Sequence, residues 1–369
     1  MQKKIGPKII LFTFIIVICF SWLFWILLEK YVDTENYENR EMSEQPRLTV
    51  DNYGTFAEEY DNYFNDQLPF RNNLIKLNSW IDYSVFDRSA NSKVIIGKDN
   101  WLFYDNKDDG DPIGCYQGNN LYTEAELQEI AENCVKQRDF LAERNIEFII
   151  FIAPNKERIY SEDMPDRFGT PADNYRVLQI VNYLKENTDL RVIYPYEELM
   201  SVKEYLDDNI YYKTDTHWNQ IGGYVGAAAL LKGLGINMPS IEDDRIHITK
   251  INNRAGDLAS MLHLLKELTF ADFDYQVDGY ETHNVQNLEE DFNTVFRYAA
   301  DNADPRKIYI RRDSFSTAMA PYIGSQFNES YFRYSNTYSY EDFAEQHPDV
   351  YVYETVERLA YTLKDFSIQ

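Results

Sequence analysis

Apolar residues in this chain fall into one long unbroken run, several short runs and several helical stripes, and each pattern predicts a different element. Residues 9–28 are apolar except for Thr13 and Ser21. At about 1.5 Å per helical residue, such a run crosses a hydrocarbon core of about 30 Å. Glu29, Lys30 and Asp33 follow at once, where a cleaved signal peptide would show small residues. The run is therefore expected to be an uncleaved transmembrane helix. Lys3, Lys4 and Lys8 precede it, which predicts a cytoplasmic N-terminus over residues 1–8 and a single-pass protein of the cell membrane whose remaining chain lies outside the cytoplasm.

After this run, residues 29–55 are polar and read as a stalk. Phe56, Tyr60, Tyr63 and Phe64 then begin a helical period that opens the main domain, residues 56–369. Val94-Ile95-Ile96 and Trp101-Leu102-Phe103-Tyr104 flank Gly97-Lys98-Asp99-Asn100, which is hairpin chemistry. Thr123 and Glu126 form a capping box at the start of a helix that runs to about Arg144. Residues 146–153 are apolar apart from Glu147, the pattern of a strand covered on both faces, and end at Pro154-Asn155-Lys156. A helix over 174–186, a strand over 191–194 and a helix over 222–232 follow, then a less regular, acidic stretch over about 242–305. A strand over 307–310, a helix after Ser314 and a strand over 349–353 complete the chain. Strands alternating with helices predict an α/β fold with a mostly parallel sheet, whose ligands sit beyond the carboxyl ends of its strands.

Charge narrows the partners. Residues 1–30 carry +3, which leaves −28 on the remainder of a chain whose formal net charge is −25. Such a field disfavours nucleic acid, anionic headgroups and polyanionic glycans unless a basic groove offsets it. Among three cysteines, Cys19 lies in the predicted anchor and Cys134 on the apolar face of a helix with Leu127, Ile130, Ala131 and Leu141. A Cys115 to Cys134 bridge is permitted outside the cytoplasm, although a chain of this length does not need one. His217, His247, His263, His283 and His347 are scattered without metal-ligand spacing, and neither a metal nor another cofactor is expected.

The candidate chemistry is split between Asp215-Thr216-His217-Trp218 and Arg312-Asp313-Ser314-Phe315, the latter directly after the 307–310 strand. A carboxylate two residues before a histidine can bond one ring nitrogen and stabilise the imidazolium that forms when the other nitrogen takes a serine proton. The spacing is also common by chance. Asp215 and His217 by themselves fit a structural histidine as well as a catalytic one, and Ser314 fits a helix cap as well as a nucleophile.

Several segments together resemble the alginate O-acetyltransferase family of the AlgJ/AlgX type, SGNH hydrolase-like enzymes that acetylate exported polysaccharides. They are Asn65-Asp66-Gln67-Leu68-Pro69-Phe70-Arg71, residues 97–104, Pro154-Asn155-Lys156, residues 214–222, Arg254-Ala255-Gly256-Asp257-Leu258 and Arg312-Asp313-Ser314-Phe315. The resemblance implies a circularly permuted SGNH three-layer sandwich, with Ser314 carrying the acetyl group, His217 as its base and Asp215 orienting His217. Unrolled from the serine strand, the order becomes the 307–310, 349–353, 146–153 and 191–194 strands. On that mapping Asn155 helps bind the oxyanion, and Lys156 and Trp218 stand as further substrate-binding candidates. Arg254 and Asp257 read as holders of the loop around Gly256, with functional contact as the alternative. Packing beside His217 is the simpler reading of Trp218. A polysaccharide acceptor and a multipass membrane-bound acyltransferase as acetyl donor are the implied partners. A carbohydrate acetyl esterase with the same triad and a weakly active scaffold subunit of a polysaccharide-modifying complex remain the competing readings.

Overall fold

The computed structural model describes residues 8–16, 29–31, 41–68, 70–291, 294–334 and 339–368. Residues 8–16 are helical, while residues 1–7 and 17–28, which hold the rest of the expected N-terminal segment and anchor, lie outside the described residues. Among the described residues no helix is long and apolar enough to cross a membrane. Within the expected stalk, Glu29–Tyr31 form a 3-10 turn and residues 32–40 lie outside the described residues.

The chain divides into one compact unit of residues 1–91 with 260–265 and a second of residues 92–259 with 266–369. The helical period expected to open the main domain from residue 56 falls in the first unit. Helix Phe56–Asp66 buries none of its residues and helix Arg71–Phe86 buries only Ser79 and Asp82, so neither contributes an apolar face to a large core.

The second unit is a layered α/β structure. Strands β1 (Val94–Ile96) and β2 (Leu102–Tyr104) form the expected hairpin. The main sheet contains β3 (Glu147–Ala153), β4 (Arg191–Ile193), β7 (Asn284–Glu290), β8 (Val295–Asp301), β9 (Asp304–Arg312), β10 (Phe327–Tyr334) and β11 (Val350–Val356). A separate antiparallel pair joins β5 (His247–Arg254) to β6 (Asp272–Asp278).

Alternation along β3 explains the layers. Ile149, Phe151 and Ala153 face one core, while Phe148, Ile150 and Ile152 face another, so successive side chains feed opposite faces of the sheet. Helices Tyr196–Tyr205, Gln220–Gly233 and Ser316–Gly324 cover the first face through residues such as Leu199, Leu230 and Ile323. Helices Glu124–Ala142 and Arg176–Asn187 cover the second through Ile130 and Ile180. The capping box at Thr123 and Glu126 is formed in both directions.

The sheet order is β4-β3-β11-β9-β10-β8-β7. The sheet is mixed where the sequence pointed to a mostly parallel one: β4, β3, β11, β9 and β10 pair in parallel, whereas β8 runs antiparallel to both β10 and β7. The antiparallel strands come from the stretch read as irregular. Counted from β9 in unrolled order, β10, β9, β11, β3 and β4 read 2-1-3-4-5, the doubly wound order whose crevice opens where strands 1 and 3 part. Here that point is the end of β9 beside the end of β11.

Cys115 and Cys134 are both free and buried. Each sits against a backbone carbonyl, Gly110 O at 3.6 Å and Leu363 O at 3.8 Å. Burial pushes the Cys115 thiol to about 11 and the Cys134 thiol to about 12, so both are small packing groups.

Candidate active site

Ser314 follows the last residues of β9 and precedes helix Ser316–Gly324. Asp313 shapes this turn. Its Oδ1 accepts from the Phe315 N–H at 2.8 Å and its Oδ2 from the Val356 N–H at 2.6 Å, while its own N–H donates to Glu354 Oε2 at 2.7 Å. The turn is thereby tied to β11 on both sides. Burial and the adjacent Asp313 carboxylate push Glu354 well above the usual carboxylate range.

The loop that carries His217 is held as closely. Tyr211 and Trp218 bridge its base, and the Tyr212 N–H donates to His217 O at 3.2 Å. Asp272 accepts from the Lys213 and Thr214 N–H groups at 2.5 and 2.8 Å. Asn219 caps helix Gln220–Gly233, its Oδ1 accepting from the Ile221 N–H at 2.9 Å. Trp218 lies against that helix because Gly222 and Gly226, one turn apart, leave the space: a Cβ at either would fall 2.7 or 2.8 Å from its side chain.

These two segments bring Ser314, His217 and Asp215 together. Ser314 Oγ lies 2.7 Å from His217 Nε2, and His217 Nδ1 lies 2.6 Å from Asp215 Oδ1. The His217 side chain is 25% exposed and that of Asp215 6%, so the carboxylate is sheltered and the imidazole is within reach of a ligand. Asp215 Oδ1 also accepts from the His217 N–H at 3.1 Å, and its Oδ2 accepts from Arg254 Nη2 at 2.8 Å. Burial alone would raise Asp215, but the bond to His217 and the charges of His217 and Arg254 pull it far below its usual range. Burial alone would lower His217, but the bond and charge of Asp215, with Asp257, carry it above its ordinary 6.5.

Residues 254–257 wrap the carboxylate. Gly256 passes so close that a Cβ there would lie 2.2 Å from Asp215 Cβ, and the Gly256 N–H donates to Thr214 Oγ1 at 3.0 Å. Asp257 accepts from the Thr216 N–H at 2.8 Å and from its hydroxyl at 2.5 Å. The expected loop-holding pair is thus joined to the site directly, Arg254 through Asp215 and Asp257 through Thr216. Ligand atoms of Asp215, His217 and Asp257 lie within 4.8 Å of one another. A cation there would have to compete with the Asp215 to His217 bond and with Arg254.

The remaining expected residues are placed differently. Trp218 is buried, its indole N–H donating to Phe315 O at 2.9 Å and its ring meeting Phe315 edge-on at 5.2 Å. It packs under the histidine and is also among the residues that line the cavity over Ser314. Lys156, expected near substrate, is buried with Nζ on the carbonyls of Tyr212, Lys213 and Asp215 at 3.1, 3.3 and 2.5 Å. Its charge is spent on the loop that carries Asp215, because an ammonium with three donors can satisfy three inward-pointing carbonyls. Asn155 follows β3, and β11 lies between β3 and β9, which sets it two strands from the serine strand. Its N–H donates to Glu357 Oε2 at 3.0 Å, and its buried Oδ1 has no partner among the described residues.

A cavity of about 750 Å³ opens over Ser314, His217 and Asp215. Neither Asn155 nor Lys156 lines it. Its walls include Tyr275 and Asp278 of β6, Phe296 and Tyr298 of β8, and Tyr322 of the helix after Ser314. Sequence reasoning missed the strand residues among these, since β6 and β8 lie in the stretch read as irregular.

The family model described as SGNH hydrolase-like domain, acetyltransferase AlgX, matches residues 94–317. The probable alginate O-acetylase AlgJ of Azotobacter vinelandii is 25% identical over 247 residues, covering 64% of this chain and 58% of that protein. The same-named protein of Pseudomonas syringae pv. tomato is 24% identical over 218 residues, 57% of this chain and 51% of the relative. The chain therefore spans little more than half the length of these relatives. Among solved structures, a DHHW family protein from Eubacterium siraeum superposes with a TM-score of 0.50 at 14% identity, covering 65% of this chain and 90% of the other. Bacillus cereus PatB1, with a sulfonyl adduct, superposes with a TM-score of 0.50 at 16% identity over 74% of this chain and 99% of its own. These two likenesses concern the fold. With more than half of its residues matched by the family model, the chain belongs to the AlgX-type family of SGNH hydrolase-like acetyltransferase domains.

Proposed function

We propose that this protein is a membrane-anchored O-acetyltransferase that moves acetyl groups onto hydroxyls of an exported polysaccharide through an acetyl-Ser314 intermediate. The observation that carries the reading is the relay from Ser314 Oγ to His217 Nε2 and from His217 Nδ1 to Asp215, at 2.7 and 2.6 Å, at the base of an open cavity. In the first half-reaction His217 takes the Ser314 proton as Oγ attacks the acetyl carbonyl. The tetrahedral intermediate then expels the donor's leaving group, which receives that proton. In the second, His217 takes the proton of an acceptor hydroxyl as that oxygen attacks the acyl-serine. Collapse releases the acetyl ester, and the proton returns to Ser314.

Asp215 supports both halves by fixing the His217 tautomer and stabilising the imidazolium, while Arg254 holds the second carboxylate oxygen. The Ser314 backbone N–H, at the turn into a helix, is an oxyanion donor in this reading. General-base help contributes about 10²- to 10⁴-fold and one oxyanion donor about 10²- to 10³-fold. The anchor over residues 9–28 places the catalytic unit outside the cytoplasm, and a multipass membrane acyltransferase supplies the acetyl group from the other side.

The test incubates the full chain with 4-nitrophenyl acetate and follows intact mass and nitrophenol release. One added acetyl group mapping to Ser314, lost in Ser314→Ala and His217→Ala, is the expected result. An unmodified Ser314 in wild type, with release no faster than in the variants, would refute acyl-serine chemistry. In a parallel incubation with an oligosaccharide acceptor added, release of free acetate with no acceptor labelled would make the protein an esterase.

A further inference from the structure

We infer that the acceptor at this site is a glycan segment without carboxylates or other anionic groups. The inference rests on the acetyltransferase reading and names its substrate class. At about 750 Å³ the cavity falls within the range that encloses small ligands, about 300–1,000 Å³.

The electrostatics of its walls decide what can enter. Among the described residues that line it, Arg254 is the one lysine or arginine, and its guanidinium is already engaged. Nη2 donates to Asp215 at 2.8 Å, Nη1 to Asp274 at 3.4 Å, and the group stacks 4.1 Å from the Tyr212 ring. A uronate carboxylate drawing on Arg254 would have to take it from Asp215, the residue that keeps His217 basic. The catalytic device and an acidic sugar would compete for one cation.

The opposing charge is present. Asp278 lies on the β6 wall, with Oδ1 accepting from Gln276 Nε2 at 3.0 Å. Asp215 and Asp278 outnumber Arg254, so the cavity is net negative while His217 is neutral. The chain around it carries −25, and apolar walls such as Phe296 and Val277 focus rather than screen that field. Sugar hydroxyls avoid this conflict, since they bond to amide, hydroxyl and carboxylate groups alike and present apolar ring faces to tyrosines.

The experiment supplies the full chain with 4-nitrophenyl acetate as donor. Two acceptors of equal length are offered at low ionic strength, a neutral β-linked oligoglucoside and an oligouronate, and acetylated products are read by mass spectrometry. Transfer to the neutral acceptor should exceed transfer to the oligouronate by about tenfold or more. The gap should narrow with added salt and also in Asp278→Lys, with the yield on each acceptor expressed relative to the acetyl-Ser314 formed in the same sample. Equal or better transfer to the oligouronate at low salt would overturn the inference, as would a ratio unmoved by Asp278→Lys. Acetyl-Ser314 is measured in the same samples. If it forms and the oligouronate is preferred, only the acceptor class falls. If it never forms, the acyl-serine reading falls and takes this inference with it.

Discussion

Asp215 orients His217 through one oxygen and is itself held by Arg254 through the other. The two bonds act on opposite sides of the same titration. In the proposed acyl-serine chemistry His217 must be neutral to accept the serine proton, and Asp215 raises its pKa above 6.5. Acylation of Ser314 should therefore fail as pH drops through a value above 6.5. Replacing Asp215 by Asn removes the charge that favours imidazolium, so the acid limb should move to lower pH while the rate falls by about 10⁴-fold at its plateau. A pH profile of nitrophenol release from both proteins checks this, and an acid limb that stays in place would deny Asp215 its electrostatic role. Lys156 makes a separate prediction. Burial draws its pKa down to about 8 from 10.5, despite the opposing charges of Glu157, Asp272, Asp257 and Asp215. Between those values the unfolded chain binds more protons than the folded one, so this group makes stability rise with pH across the window. Lys156→Met should remove that rise, read by denaturant titrations at about pH 8 and pH 10, and should also slow acylation because three loop carbonyls lose their donor.

At the level of elements, the site depends on two helices that lie close together. Helix Gln220–Gly233 begins just after the His217 loop, and helix Ser316–Gly324 just after Ser314. A Cβ at Gly223 would stand 2.5 Å from Ala318 Cβ and 2.7 Å from its carbonyl carbon. Backbone is in the way, so the helices would have to part. Gly223→Ala should cost about 1–3 kcal/mol in stability and reduce acylation further, because the same shift draws Ser314 from His217. Chemical denaturation paired with nitrophenol release would show both, and a variant as stable and active as wild type would mean that the helix contact does not set the geometry. Elements of this central part were legible because their signals are local: the apolar run of β3, the Thr123 capping box and the Asp-x-His-Trp segment each need only a few neighbours. The cavity wall was not. Strand β5 reads His-Ile-Thr-Lys-Ile-Asn-Asn-Arg and is exposed at most positions, and β6 breaks its apolar residues with Asp, Asp, Gln and Asp. Such strands, solvated on one face, carry no continuous apolar run and take their structure from pairing partners distant in sequence. Lys156 escaped for a related reason. A lysine in a loop after a strand reads as exposed, and only the folded loop shows three carbonyls turned toward it.

Across the whole molecule, charge and hydrophobicity are distributed in opposition. The first 30 residues hold +3 and a 20-residue apolar run, and the other residues hold −28. An acidic body is repelled by anionic headgroups, so electrostatics cannot keep it at a membrane surface. If the protein stays at a membrane, the apolar run must do it, since insertion of about 20 apolar residues is insensitive to salt. The full chain should then remain with the membrane fraction through washes on the order of 1 M salt, where the Debye length is about 3 Å, and enter solution only with detergent. Removing residues 1–30 should release the protein while leaving acetyl-Ser314 formation unchanged, because every residue placed at the site lies within the second unit. Full-length protein found in the soluble fraction, or extracted by salt alone, would remove the spanning helix and with it the topological reason for a membrane-embedded acetyl donor. Release by truncation accompanied by loss of acyl-serine would show instead that the first 30 residues act on the site itself.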